Sequence, residues 1–114
     1  MEDFVEVMPG VRSRLLYCDE NMVVVETILE KNARVPRHKH GSVQVSFCSQ
    51  GRMELILGDG RRIVMGPGDY HVIPAGLEHE ALAIEKTRVV DVNAPFTEDR
   101  RSLVEKLGGC PKKG

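Results

Sequence analysis

The stretch His38-Lys39-His40-Gly41-Ser42-Val43-Gln44 decides how this chain is interpreted, together with His79 further along. Side chains two positions apart on an extended strand point to the same face, so His38 and His40 are expected to share one. Gln44 joins that face if the strand resumes after the Gly41-Ser42 kink. Because imidazole is the commonest metal ligand in proteins, the stretch predicts a metal site.

Short strands are predicted on both sides of this stretch. Runs rich in β-branched and apolar residues alternate with turn residues, and strong turn signals such as Gly58-Asp59-Gly60 separate them. A regular succession of short strands is typical of an all-β barrel or sandwich. The predicted strands are Val11–Cys18, Met22–Glu30, Val35–His40, Val43–Ser49, Met53–Leu57, Arg61–Met65, Tyr70–Ile73, His79–Ile84 and Thr87–Val92.

The end of the chain has a different pattern. Thr97 is a candidate N-cap for a short helix that carries Leu103, Val104 and Leu107 on one side and ends at Gly108. We therefore predict one domain over residues 1–108, followed by a flexible tail over residues 109–114.

Composition limits the classes of partner. The 114 residues carry 16 basic and 17 acidic side chains, a formal net charge of -1, so no basic excess indicates nucleic acid or an acidic membrane surface. No apolar run approaches the roughly 20 residues of a membrane-spanning helix. Cys18, Cys48 and Cys110 are odd in number and show no pattern, which favours reduced thiols and a cytoplasmic location.

His79 must reach the first cluster through the fold, because it lies 35 residues beyond Gln44. By alternation, His79, Ala81 and Ala83 share one face, and such small residues beyond a histidine leave room for a ligand. The same alternation places Cys48 on the face of Gln44, where it is predicted to line the pocket as a substrate-binding residue.

The spacing of these residues resembles the two motifs of the cupin family. The first motif is matched by Asn32, His38, His40, Gln44 and Gly51, and the second by Gly68, Pro74, Gly76 and His79, across about residues 30–93. The resemblance implies a double-stranded β-helix, the jelly-roll barrel of cupins. It implies one divalent metal held by His38, His40, Gln44 and His79. It also implies a homodimer, because small cupins usually pair.

Three positions depart from the family pattern. Asn32 replaces a glycine, which an asparagine in the left-handed conformation can do. The usual asparagine after His79 is absent, and Gln44 replaces the usual glutamate. A neutral ligand set leaves a bound divalent cation its full charge, which favours Lewis-acid chemistry over oxygen chemistry. Manganese, iron, nickel, zinc and copper all remain candidates.

A narrower resemblance links the chain to the small cupins of pectin breakdown, which convert unsaturated uronic acids into their linear keto form. It rests on the spacing from His38 to Gln44, on Leu57-Gly58-Asp59 and on the segment Val90–Pro95. The resemblance implies that Asp91 is the catalytic acid or base. It also implies a role in carbohydrate metabolism.

The match does not extend to the residues that should contact a uronate. Asn93 and Thr97 stand where the family has a phenylalanine and an arginine. Arg100 or Arg101 can replace the missing arginine as a carboxylate clamp if the start of the helix folds over the pocket. Three functions remain open: a metal-dependent enzyme on a sugar or sugar-acid-like small molecule, a metal-dependent dioxygenase, and a non-catalytic small-molecule binding or sensing protein.

Overall fold

The computed structural model of the chain describes residues 4–110. It contains ten strands, then a 3-10 turn at Glu98–Arg100 and a short helix α1 at Arg101–Lys106. The strands are β1 (Val5–Met8), β2 (Val11–Cys18), β3 (Val23–Leu29), β4 (Arg34–His38), β5 (Val43–Gln50), β6 (Met53–Leu57), β7 (Arg62–Met65), β8 (Tyr70–Ile73), β9 (His79–Ala83) and β10 (Thr87–Ala94).

The strands form two antiparallel sheets that face each other. The larger has the order β1-β2-β3-β10-β5-β8, and the smaller has the order β4-β9-β6-β7. Adjacent strands are often distant in sequence, as where β10 lies between β3 and β5. The predicted all-β jelly-roll class is confirmed, and β1 is an additional strand that the sequence analysis did not predict.

The inner faces of both sheets supply the main core. Alternation along β6 buries Met53, Leu55 and Leu57, while Glu54 and Ile56 are less buried. These side chains pack with Val11 and Leu29 of the opposite sheet and with Met65, Ile73, Ala83 and Val89. The core therefore fills one part of the space between the sheets, beside the histidines described below.

Two tight turns need a left-handed backbone. Asn32 has a φ of 71°, as its place in the first motif predicts. Gly51 has a φ of +85°, and a Cβ added there would lie 2.0 Å from the carbonyl oxygen of Lys86. Only glycine fits the second position, both for its backbone angle and for the close approach of the Lys86 carbonyl group.

The C-terminal segment covers one end of the barrel. Val104 of α1 is buried in a second apolar cluster with Cys18, Val23 and Val25, and Leu103 and Leu107 pack against that cluster. The predicted apolar side of the helix is thus confirmed. Gly108 follows the helix with a φ of +105°. This packing places the residues that precede α1 beside the barrel interior.

The cysteine prediction is wrong for two of the three residues. Cys18 and Cys110 form a disulfide, with Cα atoms 5.4 Å apart, while Cys48 is free and buried. The Cα separation is in the usual disulfide range. Cys110, which the sequence analysis assigned to the flexible tail, is attached to the end of β2. The rest of that tail, residues 111–114, lies outside the described residues.

Over residues 4–110, helices are too short and too polar to cross a membrane.

Candidate metal centre

Three histidines from two segments meet at one point between the sheets. The ligand-capable nitrogen atoms of His38, His40 and His79 all lie within 4.8 Å of one another. His38 ends β4 and is paired with His79 at the start of β9, so strand register brings these two together. Their ring centroids are 4.2 Å apart, and His40 completes the group at 4.7 Å from His38 and 5.3 Å from His79.

His40 is placed near the other histidines by a different feature from the strand alternation that the sequence predicted. β4 ends at His38, so His40 lies beyond the strand, and simple alternation does not orient it. Its carbonyl oxygen instead accepts a hydrogen bond from the amide of Gly76, at 2.8 Å. The turn that precedes β9 therefore holds the backbone of His40 near His79.

Each of the three rings uses Nδ1 for a hydrogen bond to an oxygen acceptor. Nδ1 of His38 lies 2.7 Å from the carbonyl oxygen of Pro36, and Nδ1 of His79 lies 3.0 Å from that of Leu77. Nδ1 of His40 lies 2.8 Å from Oδ2 of Asp99. An acceptor at Nδ1 places the proton there, so each ring carries its lone pair on Nε2, the atom that can bind a metal.

The environment keeps two of these rings in the neutral form that binds metals. Burial, followed by the positive charge of Arg100, lowers the pKa of His40 to about 4. Burial also lowers the pKa of His79. Nε2 of His79 is buried and has no hydrogen-bond partner among the described residues. Three imidazoles that each use Nδ1 in a hydrogen bond, with the buried Nε2 of His79 left without a partner among the described residues, fit a divalent transition metal.

Gln44 lies in the same cavity but makes contacts of its own. It is buried, its Oε1 accepts a hydrogen bond from Nδ2 of Asn93 at 3.2 Å, and its Nε2 donates to Oγ of Ser46 at 3.1 Å. These bonds leave the second lone pair of Oε1 for another partner. The role of Gln44 as a fourth metal ligand stays a prediction.

Asp91 lines the cavity one layer beyond Gln44. Strand pairing sets it opposite Ser46, whose hydroxyl donates to Oδ1 of Asp91 at 2.6 Å. Burial raises the pKa of Asp91, although the hydrogen bond from Ser46 and the charge of Arg100 oppose that shift. A carboxyl group with a raised pKa beside a metal site is suited to proton transfer.

Arg100 reaches the cavity from the 3-10 turn. Its Nη1 lies 3.4 Å from Nε2 of His40, and its Nε is buried without a partner among the described residues. The guanidinium therefore lies at the histidine end of the cavity, as expected if the start of the helix folds over the pocket. Burial lowers the pKa of Arg100, and the charges of Asp91 and Asp99 oppose that shift.

Asp99 is a site residue that the sequence analysis missed. Burial alone would raise its pKa, but hydrogen bonds from His40 and the amide of Gly41 help to outweigh that effect and bring it to about 2. Asp99 is therefore an anion that fixes the ring of His40. No motif spacing marks it, because the contact depends on how the C-terminal segment folds back over residues 40–41.

Cys48 does not reach the cavity. It is buried in the main core cluster with Met53 and Val89, and its thiol donates a hydrogen bond to the carbonyl oxygen of Gln50. It is absent from the residues that line the cavity. The prediction that Cys48 lines the pocket is corrected, because neighbouring core side chains cover it. Burial raises the pKa of its thiol, which favours the unreactive protonated form.

Comparisons with known proteins agree with this architecture. The cupin domain family matches residues 25–93. The structure of KdgF from Halomonas sp. is 27% identical, with a TM-score of 0.80 over 86% of this chain and 92% of that one. An RmlC-like cupin from Shewanella frigidimarina is 24% identical, with a TM-score of 0.79 over 84% of this chain and 86% of that one.

More distant structures share the fold alone. The DMSP lyase DddQ from Ruegeria pomeroyi is 16% identical, with a TM-score of 0.73 over 81% of this chain and 50% of that one. No curated protein matches the sequence.

Proposed function

The chain belongs to the cupin family, and from this premise we propose that it is a metal-dependent enzyme acting without redox change on a small sugar-acid-like substrate. One observation carries the proposal. Three histidines, each with a ligand-capable nitrogen within 4.8 Å of the others, share a cavity with an acid of raised pKa, Asp91, and with a mostly buried cation, Arg100. Metal, acid and cation are the parts that isomerisation, tautomerisation or hydration of a small acid requires.

The three histidines would hold the metal, with Gln44 as the proposed fourth ligand. A divalent cation there supplies Lewis-acid chemistry, which polarises a substrate oxygen or lowers the pKa of a bound water. Asp91 is proposed to move the proton, because it is the carboxyl group of the cavity whose raised pKa lies nearer neutrality than that of Asp99. In an enol-to-keto conversion, Asp91 would deliver its proton to carbon while the enol oxygen releases its own proton to water, and a proton from water would then restore Asp91.

Arg100 is proposed to orient the substrate. Its Nη1 now donates to the lone pair of His40 Nε2. When a metal uses that lone pair, the guanidinium is released toward other acceptors in the cavity. A carboxylate is the acceptor that a planar guanidinium binds most specifically. The 27% identity to KdgF supports a substrate of the sugar-acid class.

The experiment is a turnover screen of metal-loaded protein with unsaturated uronates and related sugar acids. We expect a product with the mass of the substrate, or of the substrate plus one water. Asp91→Asn should abolish turnover and keep the metal. If the loaded protein binds these acids tightly without converting them, the alternative of a non-catalytic binding or sensing cupin replaces the enzyme. Oxygen consumption with an iron-loaded protein would instead indicate a dioxygenase.

We also propose that two chains pair through the outer face of β5 and β8. Val43, Phe47, Tyr70 and Val72 are all exposed there, and the rings of Phe47 and Tyr70 lie 5.6 Å apart. β8 is an edge strand of the larger sheet. Exposed apolar side chains on an edge mark a contact surface. Sedimentation of the wild type should give a dimer, and Tyr70→Glu should give a monomer; a monomeric wild type contradicts the proposal.

The cytoplasm remains our proposed location, although the disulfide between Cys18 and Cys110 is more typical of an oxidising compartment. Thiol labelling of freshly lysed cells decides the point. Labelling of Cys18 and Cys110 in the denatured protein supports the cytoplasm, and protection of both contradicts it.

A further inference from the structure

The cavity that holds the histidines continues well beyond them. Its volume is about 500 Å3, which is in the range of pockets that enclose a whole small molecule. The three histidines, Asp91 and Arg100 lie close together, and the charged side chains of Arg37 and Lys106 also line the wall. The remainder is lined mostly by aliphatic side chains: Val11, Val25, Leu29, Val35, Met53, Leu55, Ala81 and Val89.

Strand register places aliphatic side chains directly beside the polar residues. In the smaller sheet, the next lining residue along β9 from His79 is Ala81, which is paired with Leu55. In the larger sheet, Asp91 is paired with Val25, which also lines the cavity. An aliphatic side chain therefore lies close to each of these polar groups.

Two further hydroxyl groups, those of Ser13 and Thr27, line the cavity, and one donates a hydrogen bond to the other. Oγ of Ser13 and Oγ1 of Thr27 are 2.8 Å apart, and both residues are buried. A sugar acid carries a hydroxyl on almost every carbon. Each hydroxyl that is buried without a partner weakens the binding of a ligand that carries it. The apolar part of the cavity thus suits carbon and hydrogen better than a polyhydroxylated chain.

We propose that the ligand of this cavity is an amphiphilic carboxylic acid, with its carboxylate or keto acid group at the histidines and Arg100 and an apolar body against Val25, Leu29, Val35 and Leu55. The inference deepens the proposed function and rests on it for the position of the polar group. It narrows the substrate class from a polyhydroxylated sugar acid to an acid that bears an apolar substituent.

Binding to zinc-loaded protein tests the proposal with a homologous series of α-keto acids: pyruvate, α-ketobutyrate, α-ketocaproate and α-ketocaprylate. Calorimetry should show the dissociation constant falling by about fourfold for each added methylene, the equivalent of about 0.8 kcal/mol per buried CH2. Galacturonate is the polyhydroxylated comparison and should bind more weakly than α-ketocaproate. A dissociation constant that is flat across the series, tighter binding of galacturonate, or no binding at all would each overturn the proposal.

A variant with a partly filled cavity provides the second test of the proposal. Ala81→Leu adds bulk to the apolar wall, so it should remove the dependence on chain length and leave the affinities for pyruvate and zinc unchanged. Val64→Leu is the matched control, because Val64 is exposed on β7 and its enlargement should leave the series as in the wild type. A chain-length dependence that survives in Ala81→Leu contradicts the proposed position of the apolar body.

Measurements of binding and of turnover distinguish a failure of this inference from a failure of the proposed function. Affinity that rises with chain length supports the inference whether or not any acid is converted. Turnover of a sugar acid together with a flat series would support the proposed enzyme and overturn the inference.

Discussion

Nδ1 of His40 lies 2.8 Å from Oδ2 of Asp99, and the two residues are 59 positions apart in the chain. The contact joins the segment after β4 to the 3-10 turn before α1. Asp99 also accepts a hydrogen bond from the amide of Gly41 at 3.2 Å. A metal-binding ring is therefore held by the C-terminal segment as well as by the barrel.

Asp99→Asn is expected to weaken metal binding by about 10- to 100-fold, the usual effect of losing a group that orients a metal-binding histidine. An amide that presents its NH2 to Nδ1 favours the tautomer with a proton on Nε2, which removes the lone pair a metal needs. Competition with a chromophoric chelator measures the affinity. Glu98→Gln is the matched control, since Glu98 is exposed and pairs with Arg101. An unchanged affinity in Asp99→Asn would contradict this role.

The metal-free protein is expected to lose stability as the pH falls from about 6.5 to about 4. In the unfolded chain His40 binds a proton below pH 6.5, whereas in the folded protein it binds one only near pH 4. The contribution of His40 to the free energy of unfolding is therefore full above pH 6.5. It falls by about 3 kcal/mol as the pH drops to about 4. Denaturation in chelator across this range, compared with His40→Gln, isolates the effect. Equal pH dependence in both proteins would refute it.

The pKa of Asp91 is raised, whereas that of His40 is lowered, and the hydrogen bond from Ser46 opposes the upward shift of Asp91. The hydroxyl of Ser46 stabilises the carboxylate of Asp91, so Ser46→Ala should raise the pKa of Asp91 further, because a hydrogen bond to the charged form is lost. Carbon NMR of the Asp91 carboxyl group follows the titration directly. Ser49→Ala is the control, because Ser49 bonds only to the carbonyl oxygen of Arg88. An unchanged pKa of Asp91 in Ser46→Ala would show that the hydrogen bond from Ser46 does not stabilise the carboxylate.

Gly51→Ala is expected to destabilise the fold by about 3 kcal/mol or more, whereas Gly60→Ala should lower stability by about 1–2 kcal/mol. Both glycines have positive φ angles, +85° and +95°. Only at Gly51 would the new Cβ meet a backbone atom, the oxygen of Lys86 at 2.0 Å. Urea denaturation compares the two variants. Similar losses at both positions would mean that the close approach at Gly51 relaxes readily.

The sequence predicted the parts of this molecule that depend on local pattern. Alternation and turn residues located nine of the ten strands, and the resemblance to the two cupin motifs brought His79 together with His38 and His40. The contact of His40 with Asp99 was not predictable, because it depends on the path of the C-terminal segment. The disulfide was missed for the same reason, since three cysteines do not reveal which two will meet.

The central claim is that the Nε2 atoms of His38, His40 and His79 hold a divalent metal, and its most direct test is the metal content after loading and desalting. We expect near one equivalent per chain in the wild type and almost none in His79→Ala. His71→Ala should keep the metal, because His71 lies on β8 outside the three-histidine group. Wild-type protein that retains no metal, or His79→Ala protein that retains a full equivalent, would contradict the account.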